Sequence, residues 1–156
     1  MNIEPRIESV ELSDGLHIVN VCQHSLHFLT RHGDVVEVPP SGIVVGADVV
    51  DETIGDIWCS IYPTYDDGTL VQLVRPSFTA NPTTLLMLQR MRTQIKTYHT
   101  HVTLIVGSII AAQAYPGLVV SPVMTRDTTR AEKKIARSDR FTSYALYRAE
   151  RPELPL

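Results

Sequence analysis

The residues best placed to do chemistry are Gly107 and Ser108, which join an apolar run ending at Val106 to a second one beginning at Ile109. That pattern reads as a strand turning into a helix, and a helix N-terminus offers free backbone N–H groups and a partial positive charge to a phosphate or carboxylate. Gly107 would let an anion approach the backbone closely, and Ser108 would add a hydroxyl. Taken singly, Ser108 reads first as a helix N-cap. Neither the Walker spacing nor the dinucleotide glycine triplet occurs around it.

The second candidate is a basic stretch holding Arg126, Arg130, Lys133, Lys134, Arg137 and Arg140. Arginine presents a planar, bidentate donor fork to phosphate, and positions 126, 130, 133/134 and 137 would lie along one helical face. Asp127, Glu132 and Asp139 interrupt the charge, which argues against an extended nucleic-acid surface. Tyr115, Phe141 and Tyr144 lie near this region in sequence, and an aromatic face there could stack on a base, although each also suits a core. Six histidines and two cysteines carry no metal spacing such as paired CxxC or HExxH. His99 with His101, and Cys22 with His24, would share strand faces. No nucleophile elbow surrounds any Ser or Cys. Asp51-Glu52 and Asp66-Asp67 sit among turn residues and read as solvated. No metal, cofactor or catalytic residue is therefore assigned.

The elements that position these residues are legible from turn signals and periodicity. Runs at 16–21, 26–30, 35–38, 43–50, 54–62 and 69–74 are rich in β-branched and aromatic residues and read as strands. Arg31-His32-Gly33-Asp34 and Pro39-Pro40-Ser41-Gly42 break them into an antiparallel meander. Asn81-Pro82 opens a helix over 82–97, with Leu85, Leu86, Leu88 and Met91 at near-helical spacing. A buried strand over 102–106, a short helix over 109–114, a strand near Val119-Val120, a basic helix over 130–137 and a strand over 141–147 complete the pattern. The fold class is α+β: an N-terminal antiparallel β-meander, then a helix, a buried strand, a short helix and a basic C-terminal helix. Residues 1–150 read as a single domain and 151–156 as a loose tail.

Composition narrows the class. With 44% apolar and 20% charged residues the chain is globular, not disordered. No apolar run approaches the roughly 18–20 residues that span a bilayer, and the N-terminus lacks a secretion signal, so a cytoplasmic setting is expected. The net charge of −3 conceals a strong polarity. Residues 1–70 set twelve Asp or Glu against Arg6 and Arg31, a balance of −10. Residues 71–156 set twelve Lys or Arg against Asp127, Glu132, Asp139, Glu150 and Glu153, a balance of +7. Either the halves face each other, within a protomer or across an oligomer interface, or the basic half presents a phosphate-binding surface.

Asn20-Val21-Cys22-Gln23-His24 resembles the Asn-Leu-Thr-Pro-His opening of a group of small phage-encoded proteins, and Pro39-Pro40-Ser41-Gly42 matches that group's Pro-Pro-Ser-Gly turn. Residues 106–117 are similar to a core segment of its longer members. Cys22-Gln23 departs from the Thr-Pro pair, leaving Asn20 and His24 as the matching polar positions. The resemblance implies phage provenance. Phage proteins of this size include immune-signal sponges of the anti-Thoeris and anti-CBASS type, which sequester cyclic nucleotides or cyclic ADP-ribose derivatives. On that footing the chain is expected to be a cytoplasmic, homo-oligomeric, non-catalytic binder of a small phosphorylated ligand in an infected cell. Gly107 and Ser108 would meet the phosphate, Arg126, Arg130, Lys133 and Arg137 would neutralise it, Tyr115 or Phe141 would stack, and Asn20 and His24 would contact base or ribose. A protein–protein interaction module, inhibiting a host protein or serving phage assembly, is the alternative. A nucleotide phosphoesterase comes third.

Overall fold

The computed structural model describes residues 7–13, 15–59, 68–98, 101–124 and 135–145. Among the described residues, nine strands and two helices alternate little in sequence, as an α+β chain requires. β1 (Val10–Ser13) runs antiparallel to β2 (Leu16–Asn20), and β2 pairs in parallel with β7 (Val102–Val106), in register Ile18↔Leu104 and Asn20↔Val106. A second sheet has the order β4-β3-β9-β8. Its β3 (Leu26–Leu29) and β4 (Val35–Val38) form a tight hairpin, in which Thr30 N donates to Asp34 O and Gly33 adopts φ 87. β9 (Ile135–Thr142) pairs in parallel with β3 and antiparallel with β8 (Ser121–Met124). A third, two-stranded sheet is a long ribbon of β5 (Asp48–Cys59) and β6 (Thr69–Thr79). The sequential antiparallel pairs of the strand-rich start are thus distributed over three sheets.

Alternation along β2 and β7 builds a three-layer body. Val19 and Ile105 point to one side, where they join Leu88, Met91 and Ile95 of α1 (Pro82–Tyr98) and Ala111 and Ala114 of α2 (Ile109–Ala114). Ile18, Leu104 and Val106 point to the other, against Phe28, Val38 and Ala136 of the four-stranded sheet. Being covered on both faces, β7 needs apolar residues at consecutive positions, which is why Thr103-Leu104-Ile105-Val106 is continuously buried. α1 begins where Asn81 Oδ1 accepts from the backbone N–H groups of Thr83 and Thr84, and its buried residues recur at i, i+3 and i+7. No helix among the described residues is long and apolar enough to cross a membrane.

Several segments differ from the sequence expectation, and Asp51-Glu52, read among turn residues between two strands, lies inside the continuous β5. The run at 43–50 is not one strand: residues 43–47 are irregular, with Val45 buried and its N–H donating to Val21 O, and β5 starts at Asp48. Val120 makes only an isolated parallel bridge to Val106 before β8 begins. The basic helix expected over 130–137 is a strand from Ile135 onward, because parallel pairing with β3 (Phe28↔Ala136, Leu29↔Arg137) buries Ala136 and Ser138 at alternate positions. The strand expected at 141–147 is only the end of β9, which stops at Thr142, and residues 143–145 are irregular; residues 130–134, 146–147 and the tail at 151–156 lie outside the described residues.

Candidate functional site

Asn20 ends β2 beside Val106, and Gly107 follows Val106 at the C-terminal end of the parallel β7, where an α/β crevice would hold a ligand. The structure fills that space with protein. A Cβ built on Gly107 would stand 2.9 Å from Val119 Cγ1, 3.2 Å from Val21 Cγ2 and 3.3 Å from the Ala111 Cβ, so the glycine permits close packing of α2 on the sheet. Its N–H already donates to Val120 O at 2.9 Å. Ser108 caps α2: its Oγ accepts from Ala111 N, and its carbonyl accepts from Ala112 N.

Asn20 is the hub of a backbone knot. At 1% exposure, its Nδ2 donates to the carbonyls of His24 (2.9 Å) and Val38 (3.0 Å), and its Oδ1 accepts from Cys22 N (2.8 Å). Its own carbonyl accepts from both Ser41 N (2.9 Å) and Ser41 Oγ (2.6 Å). The Asn20–His24 segment and the Pro39–Gly42 turn therefore meet in one place. There they hold the β2–β3 turn against the chain leaving β4. His24 is exposed at the edge of this turn.

The two aromatic candidates lie in different layers. Tyr115 is 1% exposed in the helix-side core; its hydroxyl donates to Gly46 O and accepts from Asn81 N, tying the start of α1 to the irregular segment before β5. Phe141 packs in the sheet-to-sheet core, tilted against Phe28 with ring centroids 5.8 Å apart. Arg137 is exposed and forms a bidentate pair with Asp139. That hydrogen bond raises the guanidinium pKa and holds the Asp139 carboxyl below the usual carboxylate range. Arg126, Arg130 and Lys133 lie outside the described residues.

Among the thiols and imidazoles, Cys22 is buried and its pKa is raised by desolvation, whereas Cys59 is exposed on β5. His17 and His101 stack at the β2–β7 seam, ring centroids 3.5 Å apart, with Ser9 Oγ 3.4 Å from His17 Nδ1. His101 precedes β7, and His99 lies outside the described residues. Among the described residues, no three His, Cys, Asp or Glu side chains converge on a common point.

Strands were expected at 54–62 and 69–74; what sequence reasoning missed is that they form a separate, exposed two-stranded ribbon, β5–β6. It extends over eleven paired positions, from Asp48↔Thr79 to Cys59↔Thr69. Phe78 and Ala80 pack against the helix-side core and root it, while nearly every other residue on it is exposed. Val49, Val50, Ile54, Ile57, Trp58, Leu70, Val71, Leu73 and Val74 make up half of the large apolar side chains exposed among the described residues. Alternation along β6 puts Leu70 and Val74 on one face and Val71 and Leu73 on the other, so both faces are apolar. The signal was present as adjacent pairs, Val49-Val50, Ile57-Trp58, Leu70-Val71 and Leu73-Val74, each of which must show one apolar residue to each face. Compared with family models, curated proteins and solved structures, the chain matches none.

Proposed function

We propose that this chain is a non-catalytic protein–protein interaction module whose contact surface is the β5–β6 ribbon. The observation that carries this reading is the concentration of exposed apolar side chains on both faces of a two-stranded ribbon anchored at one end. Exposed apolar patches larger than a few hundred Å2 mark sites of association, and a lone hairpin in water is marginally stable without a cover. The polar groups that suggested a ligand site support the same reading from the other side. Asn20, Ser108 and the Tyr115 hydroxyl are engaged in holding backbone, and Gly107 is enclosed by Val21, Ala111 and Val119.

Capture of a small phosphorylated ligand, with the phage provenance that suggested it, is the second reading. Its support is the +7 balance of residues 71–156, with Arg126, Arg130 and Lys133 as the remaining donors. One experiment separates the readings. The purified chain is heated with a panel of cyclic nucleotides and cyclic ADP-ribose isomers, and the nucleotides are recovered afterwards. An interaction module gives no shift in Tm and unaltered nucleotides. A shift with intact recovery restores the ligand-capture reading, and an altered nucleotide makes the chain a phosphoesterase.

A further inference from the structure

Resting on that reading, we propose that the occupant of the β5–β6 ribbon is a second copy of this chain, so that the ribbon is a dimerisation arm exchanged between protomers. Three observations favour a second copy over a foreign partner. The first is permanence. Both faces of the ribbon carry exposed apolar side chains along its length of about 35 Å, and two strands alone do not sustain such a surface in water, so the cover must be present whenever the chain is. Another copy is the partner that meets this condition in every cell that makes the protein.

The second is area. Nine large side chains, each between 39% and 58% exposed, present on the order of 700 Å2, close to the roughly 800 Å2 that each partner gives to a stable interface. The third is charge. The ribbon carries Asp48, Asp51, Glu52 and Asp56 against Arg75, whereas the described residues that follow it carry Arg90, Arg92, Lys96, Arg137 and Arg140 against Asp139. Within the second half Arg137 pairs locally with Asp139, so that pair does nothing to neutralise the ribbon. Two β5 strands meeting edge to edge would oppose acid to acid, which disfavours ribbon-on-ribbon pairing. Seating each ribbon on the basic residues of the other copy's body brings opposite charges together and closes with two-fold symmetry.

The test uses the full chain and measures mass by sedimentation across micromolar concentrations, together with the rate at which Cys59 is alkylated. The wild type is expected at twice the protomer mass or a higher multiple, with Cys59 at least tenfold slower to react when assembled than when diluted. I57K/L73K places two charges on one ribbon face at exposed positions. It is expected to return the chain to protomer mass and free Cys59, with far-UV circular dichroism unchanged. Cys22, buried in the body, should stay slow in both and reports that the body remains folded. Should the variant fail to fold, Cys59 protection in the wild type as a function of concentration decides the matter alone.

A wild type at protomer mass with a freely reacting Cys59 overturns the second-copy inference while leaving the interaction reading in place. Assembly that survives I57K/L73K with unchanged Cys59 protection removes the ribbon from both proposals.

Discussion

Asn20 makes three side-chain hydrogen bonds that need a primary amide, which donates twice to carbonyls and accepts once from an N–H. Replacing the Nδ2 by oxygen in N20D turns two attractions, to Val38 O and His24 O, into lone-pair repulsions inside a site 1% exposed to solvent. Each unsatisfied buried polar group costs about 1–3 kcal/mol. N20D is therefore expected to lose about 3 kcal/mol, a fall in Tm of about 10 °C for a chain of this size. Differential scanning calorimetry checks it. An Asn20 that served a ligand and not the backbone would leave Tm of the free protein within a degree or two of wild type. The same residue explains why the candidate site was only half legible. An amide that holds a turn and an amide that holds a ribose are the same letter, and the distant partner that decides between them, the Val38 carbonyl, lies 18 positions away.

At the scale of elements, α1 and β7 were readable because local signals agree with the tertiary outcome. Asn81-Pro82 supplies the cap, Leu88, Met91 and Ile95 the stripe, and four successive apolar positions the strand with two covered faces. β9 was not readable as a strand, since Arg130 through Arg137 is rich in helix formers. Its state is decided by a parallel neighbour, β3, more than a hundred residues earlier. The ribbon was misjudged for the opposite reason: its apolar pairs look like core, and nothing local says that the chain leaves them uncovered. The α2 start offers the clearest element-scale test, because Gly107 was read as an opening and the structure uses it as a contact. G107A places a methyl group 2.9 Å from Val119 Cγ1 and 3.2 Å from Val21 Cγ2, both in the helix-side core. Overpacking of this kind costs about 1–3 kcal/mol, so the midpoint of urea unfolding should fall with little change in slope. A neutral or stabilising G107A would mean that the junction has room, and the anion-site reading of Gly107 and Ser108 would regain its footing.

For the whole molecule, the charge polarity seen in the sequence acquires a spatial meaning on the arm, where Asp48, Asp51, Glu52 and Asp56 stand exposed against Arg75. If each arm lies on the basic residues of another copy's body, assembly has an apolar component that salt leaves intact or strengthens, and a Coulombic component that salt screens. The Debye length falls from about 14 Å at 0.05 M to about 4 Å at 0.5 M ionic strength, enough to remove most attraction between exposed charges. The dissociation constant measured by sedimentation should then rise several-fold over that range, with dimer still detectable at the upper end because Ile57, Val71 and Leu73 remain buried. Ribbon packed symmetrically on ribbon makes the contrary forecast. Asp48, Asp51, Glu52 and Asp56 of the two copies would face each other, and added salt would tighten the complex by relieving repulsion. The sign of the salt dependence therefore distinguishes arm exchange from arm-to-arm stacking, using wild-type protein alone.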